Sequence, residues 1–239
     1  MNYNGNNSYD NNSLIRGEEG ILEGFMSRVY AWMALALVLS GFTAYTAASS
    51  ATFFQILRTT PGLHIGLAVA SLACVFVISF LIEKLPLPLL IVTFLGYSFL
   101  VGLMLSTIFL VYTLGSITMI FFVTAGSFFA LSVYGTVTKR DLSAMGAFMF
   151  IGLIGLILAS IGNFFLRSPS LYWALSVVGV IVFAGLTAYD TQKLREMGRN
   201  LEGAPSGTQL RMAISGALSL YLDFINMFLY LLRLFGSKR

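Results

Sequence analysis

The chain has 239 residues, of which 57% are hydrophobic and only 10% are charged, and its formal net charge is +4 at pH 7. Soluble domains usually carry about 25% charged residues, so this composition excludes an ordinary soluble enzyme or binding domain. The length corresponds to one set of membrane helices without a separate soluble module.

The first 24 residues are polar. An asparagine-rich start is followed by Glu18, Glu19 and Glu23, and no apolar run precedes the first long hydrophobic stretch. We therefore predict no cleaved signal peptide, and the first span is expected to act as its own insertion signal. Residues 1–24 are predicted to be a disordered tail, and residues 25–239 a single transmembrane domain.

The middle of the chain contains the clearest membrane signal. No charged residue occurs among the 54 positions from 85 to 138. A bilayer core about 30 Å thick needs about 20 apolar residues per helix, so this stretch holds two spans and a neutral turn. The whole chain is predicted to be all-α, a polytopic membrane protein with seven transmembrane helices at residues 29–48, 63–82, 89–110, 116–137, 143–166, 171–190 and 212–232.

The basic residues between the spans predict the orientation. With a cytoplasmic N-terminus, nine of the 14 Lys and Arg residues lie inside and five outside, and three of those five follow the last span. The positive-inside rule then favours a cytoplasmic N-terminus and a cytoplasmic connection at residues 191–211. The basic C-terminal tail leaves open whether the seventh segment spans fully or re-enters, and we favour the full span.

Two acids fall inside the predicted spans, Asp190 and Asp223. A charged carboxylate at the bilayer centre costs at least ~2.5–3.5 kcal/mol, so Asp223 must be protonated, paired or hydrated. Ser219 and Asn226 share its helix face, and this polar stripe is predicted to face the bundle interior.

The sixth and seventh segments are joined by one connection, so the two aspartates can meet. Two carboxyls in a low dielectric tend to share a proton. Structural roles stay open as the alternative: Asp190 as an interfacial or capping residue, and Asp223 as a hydrogen-bonding partner of a neighbouring helix.

Small residues in the fifth span suggest close helix packing. Gly155, Ala159 and Asn163 lie on one helix face. Such a face lets two backbones approach closely in lipid.

An enzymatic alternative is an intramembrane aspartyl protease, because Tyr189-Asp190 resembles half of the presenilin-like signature. The other half is absent: Asp223 follows Leu-Tyr-Leu rather than Gly-x-Gly, and no proline occurs after Pro205. Nucleotide-binding and hydrolase motifs are also missing. We expect no enzymatic activity, no catalytic residue, no cofactor and no resident metal.

Three segments carry a resemblance to a known family. They are Gly185-Leu-Thr-Ala-Tyr-Asp-Thr-Gln-Lys-Leu194, Leu218-Ser-Leu-Tyr-Leu-Asp-Phe-Ile-Asn226 with the following Leu231-Leu-Arg-Leu-Phe-Gly236, and Thr138-Lys-Arg-Asp-Leu-Ser143. From about residue 25 to the end, the chain resembles the Bax inhibitor-1 family, also called the transmembrane Bax inhibitor motif family, and most of all its bacterial inner-membrane members. The resemblance implies a seven-helix fold with the last helix at the centre.

The resemblance also implies a function. Family members are described as pH-sensitive calcium leak proteins, and their proton-sensing pair corresponds to Asp190 and Asp223. Ca²⁺ is then a permeant ion rather than a cofactor. In some members an arginine at the cytoplasmic end of the second helix latches the first aspartate; Glu83-Lys84 stands there in this chain, so Lys84 is a candidate latch. Ser219 and Asn226 are candidate supporting residues.

A second interpretation from a different class is a non-conducting regulator that binds other membrane proteins and modulates stress responses, cell death or proteolysis. For both interpretations we expect a lipid bilayer as the surroundings, other membrane proteins as candidate partners, and no nucleic acid.

Overall fold

The computed structural model describes residues 7–60, 62–201 and 203–239. The helices of these residues are α1 (Asn7–Ala48), α2 (Ala51–Thr59), α3 (Leu63–Leu81), α4 (Leu87–Leu105), α5 (Ile108–Val111), α6 (Leu114–Val137), α7 (Ser143–Leu166), α8 (Pro169–Arg199) and α9 (Ser206–Phe235). Within the described residues, seven helical segments are long and apolar enough to cross a membrane, which confirms the predicted all-α membrane fold. The short helix α2 forms most of the connection between α1 and α3, and α5 ends the third span, which runs from Leu87 to Val111.

The helices extend beyond the apolar segments that predicted them. Helix α8 continues nine residues past the predicted end at residue 190, and α9 begins at Ser206, before the predicted start at residue 212. Hydropathy marks only the lipid-facing part of a helix, whereas adding one more hydrogen-bonded residue to an existing helix costs little.

The N-terminal tail is also more helical than predicted, since residues 1–24 were expected to be disordered. Residues 1–6 lie outside the described residues, and α1 begins at Asn7, so the backbone of residues 7–24 is helical. The membrane-spanning part of α1 begins only at Leu22.

Local capping explains where several helices begin. The side chains of Ser50, Thr113 and Ser168 each accept a hydrogen bond from a backbone N–H in the first turn of the following helix. Pro169 follows Ser168 at the first helical position, where the missing N–H of proline costs nothing. These turn residues therefore set the connections between the spans.

Helix α9 occupies the centre of the bundle. It packs against α1, α3, α4, α6 and α8, and its buried residues cover more than half of its circumference. Large apolar residues of the surrounding helices point outward, as Phe80 and Phe164 do with 74% and 75% of their surface exposed. The central position that the family resemblance implied for the last helix is confirmed.

Helix α9 also runs from one end of the bundle to the other. At its start, Nη1 of Arg211 donates to the carbonyl oxygens of Ile82 and Leu85, in the turn between α3 and α4. After its end, the backbone N–H of Thr113 donates to the carbonyl of Ser237. One contact lies before α4 and the other after α5, and these two helices together form one span. The seventh segment therefore crosses the whole bundle rather than re-entering.

The closest helix contacts are at glycines other than the predicted one. A Cβ atom added at Gly135 of α6 would lie 2.3 Å from the carbonyl oxygen of Ala188 in α8, so the two backbones nearly touch. At Gly155 nothing lies within 4 Å. The expectation of a packing face around Gly155 is therefore wrong, because that side of α7 faces outward.

Candidate functional site

A cavity of about 930 Å³ lies between α7, α8 and α9, with Leu72 of α3 at its rim. Most of its wall is apolar, and it reaches outward between exposed residues of α7 such as Phe150 and Ile157. Charged and amide side chains are confined to its inner wall on α8 and α9, where it is lined by Asp190, Lys193, Asp223 and Asn226. The cavity therefore brings the two predicted aspartates to one place.

Asp223 is the most deeply buried of these groups. It lies near the middle of α9, with only 4% of its surface exposed. Within the described part of the chain, its Oδ2 atom is buried and has no hydrogen-bond partner. A buried polar atom without a partner is costly and rare in folded proteins. This oxygen is consequently available to a proton, a water molecule or a cation that enters the cavity.

Asp190 lies on the neighbouring helix α8 and is half-buried. It precedes the end of that helix at Arg199 by nine residues, or about 14 Å, so it is an internal residue and not a cap. Helices α8 and α9 form the most extensive of the helix contacts in the described chain. Antiparallel packing of these two helices thus holds both carboxyls against the same cavity.

Lys193 adds a positive charge that the sequence analysis did not single out. It lines the cavity three residues after Asp190, and its Nζ lies 6.0 Å from the centroid of the Tyr189 ring. Residues three apart share a helix face, so the Asp-x-x-Lys spacing was the signal that identifies it. The ammonium group of Lys193 therefore places a cation on the same face of α8 as Asp190.

The predicted supporting residues Ser219 and Asn226 both line the cavity, on the same face of α9 as Asp223. The Nδ2 atom of Asn226 donates to the carbonyl oxygen of Leu222 at 2.8 Å, so its amide nitrogen is held by its own helix. The polar stripe of α9 therefore faces the cavity over two helical turns.

The structure does not bring the candidate latch Lys84 to the aspartates. Lys84 is exposed after the end of α3 and is absent from the residues that line the cavity. The cation that joins this turn to α9 is Arg211, with distances of 2.6 Å to the carbonyl oxygen of Ile82 and 2.5 Å to that of Leu85. A guanidinium bound to backbone carbonyls leaves no pattern in the sequence, which is why this contact was missed.

A buried polar network holds the other face of α9. The hydroxyl of Tyr221 lies 2.6 Å from that of Ser40 in α1, and the Ser40 hydroxyl lies 2.8 Å from the carbonyl oxygen of Ser98 in α4. Tyr221 precedes Asp223 by two residues, about 200° around the helix, so the network lies away from the cavity. It joins three helices behind the acidic face.

Fold and site together define a class: a seven-helix membrane protein with a central last helix and an acidic pair, one acid on each of the last two helices, that lines one cavity. The family model described as "Inhibitor of apoptosis-promoting Bax1" matches residues 22–239. The chain belongs to the Bax inhibitor family.

Individual relatives agree with this assignment. The chain is 49% identical to inner membrane protein YbhL of Escherichia coli K12 over 227 residues, which covers 95% of this chain and 97% of YbhL. It is also 42% identical over 223 residues to the uncharacterized protein RP147 of Rickettsia prowazekii, covering 93% of this chain and 92% of that protein. A third relative, an uncharacterized protein of Deinococcus radiodurans, is 42% identical over 215 residues, with 90% of each chain covered.

Proposed function

We propose that this protein is a pH-sensitive cation leak channel of the bacterial inner membrane, with Ca²⁺ as the permeant ion and Asp190 and Asp223 as the gating pair. The observation that carries the proposal is the buried Oδ2 of Asp223, which lacks a hydrogen-bond partner in the described chain and lines the same cavity as Asp190. A structural acid would be expected to bond a neighbouring helix with both oxygens.

Protonation supplies the closed state in this proposal. When the pair holds one or two protons, the carboxyls carry less charge and can share a hydrogen bond, which keeps α8 and α9 together. When both lose their protons, two like charges face each other at low dielectric, where repulsion is much stronger than in water. Rising pH therefore favours separation of the cavity walls.

The same change favours entry of a divalent cation. Ca²⁺ prefers carboxylate and carbonyl oxygens and binds six to eight of them when it is held tightly. The described residues contain no cluster of three or more His, Cys, Asp or Glu side chains. A pair of carboxylates alone binds Ca²⁺ weakly, and weak binding suits an ion that must also leave.

The experiment is a calcium flux measurement with purified protein in liposomes that contain a calcium-sensitive dye. The proposal expects protein-dependent Ca²⁺ entry that is larger at pH 8 than at pH 6. Liposomes prepared without protein measure the background. If flux at both pH values equals this background, the channel is excluded and the non-conducting regulator becomes the better account.

A further inference from the structure

A second cavity, separate from the acidic pair, lies between the end of α6, the connection that follows it, and α8. Its volume is about 620 Å³. Four of its lining residues are cations and two are acids, namely Lys139, Arg140, Arg195 and Arg199 against Asp141 and Glu196. Hydrogen bonds from Ser143 hold the pKa of Asp141 below its usual range, so this acid stays charged and the lining keeps a net charge of +2.

The walls of this basic cavity are held by specific hydrogen bonds. Gln192 of α8 clamps the connection between α6 and α7: its Nε2 donates to the carbonyl of Arg140 and its Oε1 accepts from the N–H of Leu142, both at 2.9 Å. Arg195 donates through Nη1 to the carbonyl oxygen of Thr136. Lys139 and Arg140 are therefore presented from a fixed turn, and Arg195 and Arg199 from helix α8.

An apolar groove continues from the basic cavity. It has a volume of about 420 Å³ and shares the residues Thr136 and Val137 with the basic cavity. Further along it is lined by Tyr30 of α1 and by Phe128, Phe129, Ser132 and Val133 of α6. The hydroxyl of Thr136 donates to the carbonyl of Ser132 at 2.8 Å, so it is already bonded within the helix. The groove thus offers an almost wholly apolar surface.

The length of the groove matches one leaflet of a membrane. From Phe128 to Val137 the helix rises about 14 Å, and half of a bilayer core of ~30 Å is about 15 Å. The basic cavity lies at the end of the helix, where lipid headgroups are found. The basic cavity therefore lies where a phospholipid has its headgroup, and the apolar groove lies along α6 where the lipid has an acyl chain.

We propose that the basic cavity and the apolar groove together bind one anionic phospholipid, with its phosphate beside the cations and an acyl chain along α6. Clustered cations near the membrane surface attract anionic headgroups, each contributing about 1 kcal/mol. A free phosphate ion would use only the cavity and would leave the groove without a role. This site does not depend on conduction through the acidic pair.

The test is native mass spectrometry of the full-length protein released from detergent after incubation with phosphatidylglycerol or phosphatidylcholine of the same chain length. We expect retention of one phosphatidylglycerol with at least about tenfold preference, from the summed attraction of the cations. A triple variant with Lys139→Gln, Arg140→Gln and Arg199→Gln should lose the preference. It leaves in place Arg195, which bonds the backbone. A matched variant with Arg167→Gln, Lys238→Gln and Arg239→Gln removes the same charge elsewhere and should keep it.

The groove is tested separately. Val133→Trp fills it without changing a charge and should reduce phosphatidylglycerol retention, whereas Val123→Trp, at a similarly exposed position of α6 outside the groove, should not. Inorganic phosphate at millimolar concentration should not displace the lipid. Equal retention of both lipids, a preference that survives the triple variant, or displacement by phosphate would each overturn the proposal.

Discussion

The hydroxyl of Tyr221 lies 2.6 Å from the hydroxyl of Ser40, and this contact fastens the central helix α9 to α1 on the side away from Asp223. Tyr221 is fully buried and packs edge-on against Tyr97 of α4. One face of α9 is thus bonded to its neighbours, while the opposite face borders a cavity. The acidic pair can change its protonation without disturbing the contacts that hold the helix.

The first prediction concerns that bond. Tyr221→Phe removes one hydroxyl from a buried network and should destabilise the protein by about 1 kcal/mol, the usual net value of a buried hydrogen bond. The measurement is equilibrium unfolding in mixed detergent. Tyr45→Phe in α1, where the tyrosine is 56% exposed, is the matched control and should have little effect. Equal stability of the Tyr221 variant and the wild type would show that the network contributes nothing.

A second prediction tests the close approach of α6 and α8. Gly135→Ala places a methyl group 2.3 Å from the carbonyl oxygen of Ala188, so the helices must move apart. We expect a loss of about 1–3 kcal/mol, as for other overpacked sites. Gly126→Ala in the same helix has nothing within 4 Å and should be neutral or slightly stabilising, since alanine favours helix more than glycine. Thermal unfolding of both variants measures the difference. Equal stability of Gly135→Ala and Gly126→Ala would contradict the close packing of α6 on α8.

The third prediction separates Arg211 from Lys84. Arg211→Gln loses the charged donor to the carbonyls of Ile82 and Leu85, so the turn between α3 and α4 should open more often. Hydrogen exchange in residues 82–90 should become at least about tenfold faster, because a charge-assisted hydrogen bond is worth about 1.5–3 kcal/mol. Lys84→Gln changes an exposed side chain of the same turn and should leave exchange and calcium leak unchanged. A changed pH response of leak in the Lys84 variant would restore the latch hypothesis.

Orientation gives the fourth prediction. The two ends of α9 lie at opposite ends of the bundle, and the basic asymmetry of the connections predicts that its start is cytoplasmic. In a Cys74→Ala background, a membrane-impermeant maleimide applied outside intact cells should label Ser237→Cys and not Ser206→Cys. The opposite pattern would invert the topology, and labelling of both would mean that α9 does not cross the membrane.

The seven spans and the aspartate pair were predictable because each follows from a large local cost: apolar length in lipid and a carboxylate in a span. The contacts of Tyr221 and Arg211 were not predictable. Each partner lies more than 100 positions away in the chain, and each contact depends on which faces of the two elements are turned toward each other. The same limit explains the wrong expectation at Gly155, since small residues mark a close contact only when a neighbour covers that face. Lys193, by contrast, could have been found from its spacing to Asp190.

The last prediction concerns Asp190 and Asp223, which we propose to sense protons and gate cation passage. Asp223→Asn keeps the size of the side chain but cannot gain or lose a proton, so it should remove most of the pH dependence of the leak. Asp190→Asn should do the same, because both acids take part in one shared titration. Asp141→Asn removes an acid that lies outside the spans and does not line the cavity of the aspartate pair, and it serves as the matched control.

The most direct measurement is therefore calcium flux into dye-loaded liposomes between pH 6 and 8, for the wild type and these three variants side by side. We expect a leak that rises with pH in the wild type and in Asp141→Asn, and a nearly flat profile in Asp190→Asn and Asp223→Asn. If both of the latter variants keep the wild-type pH profile, the aspartates are structural and the gating account is wrong.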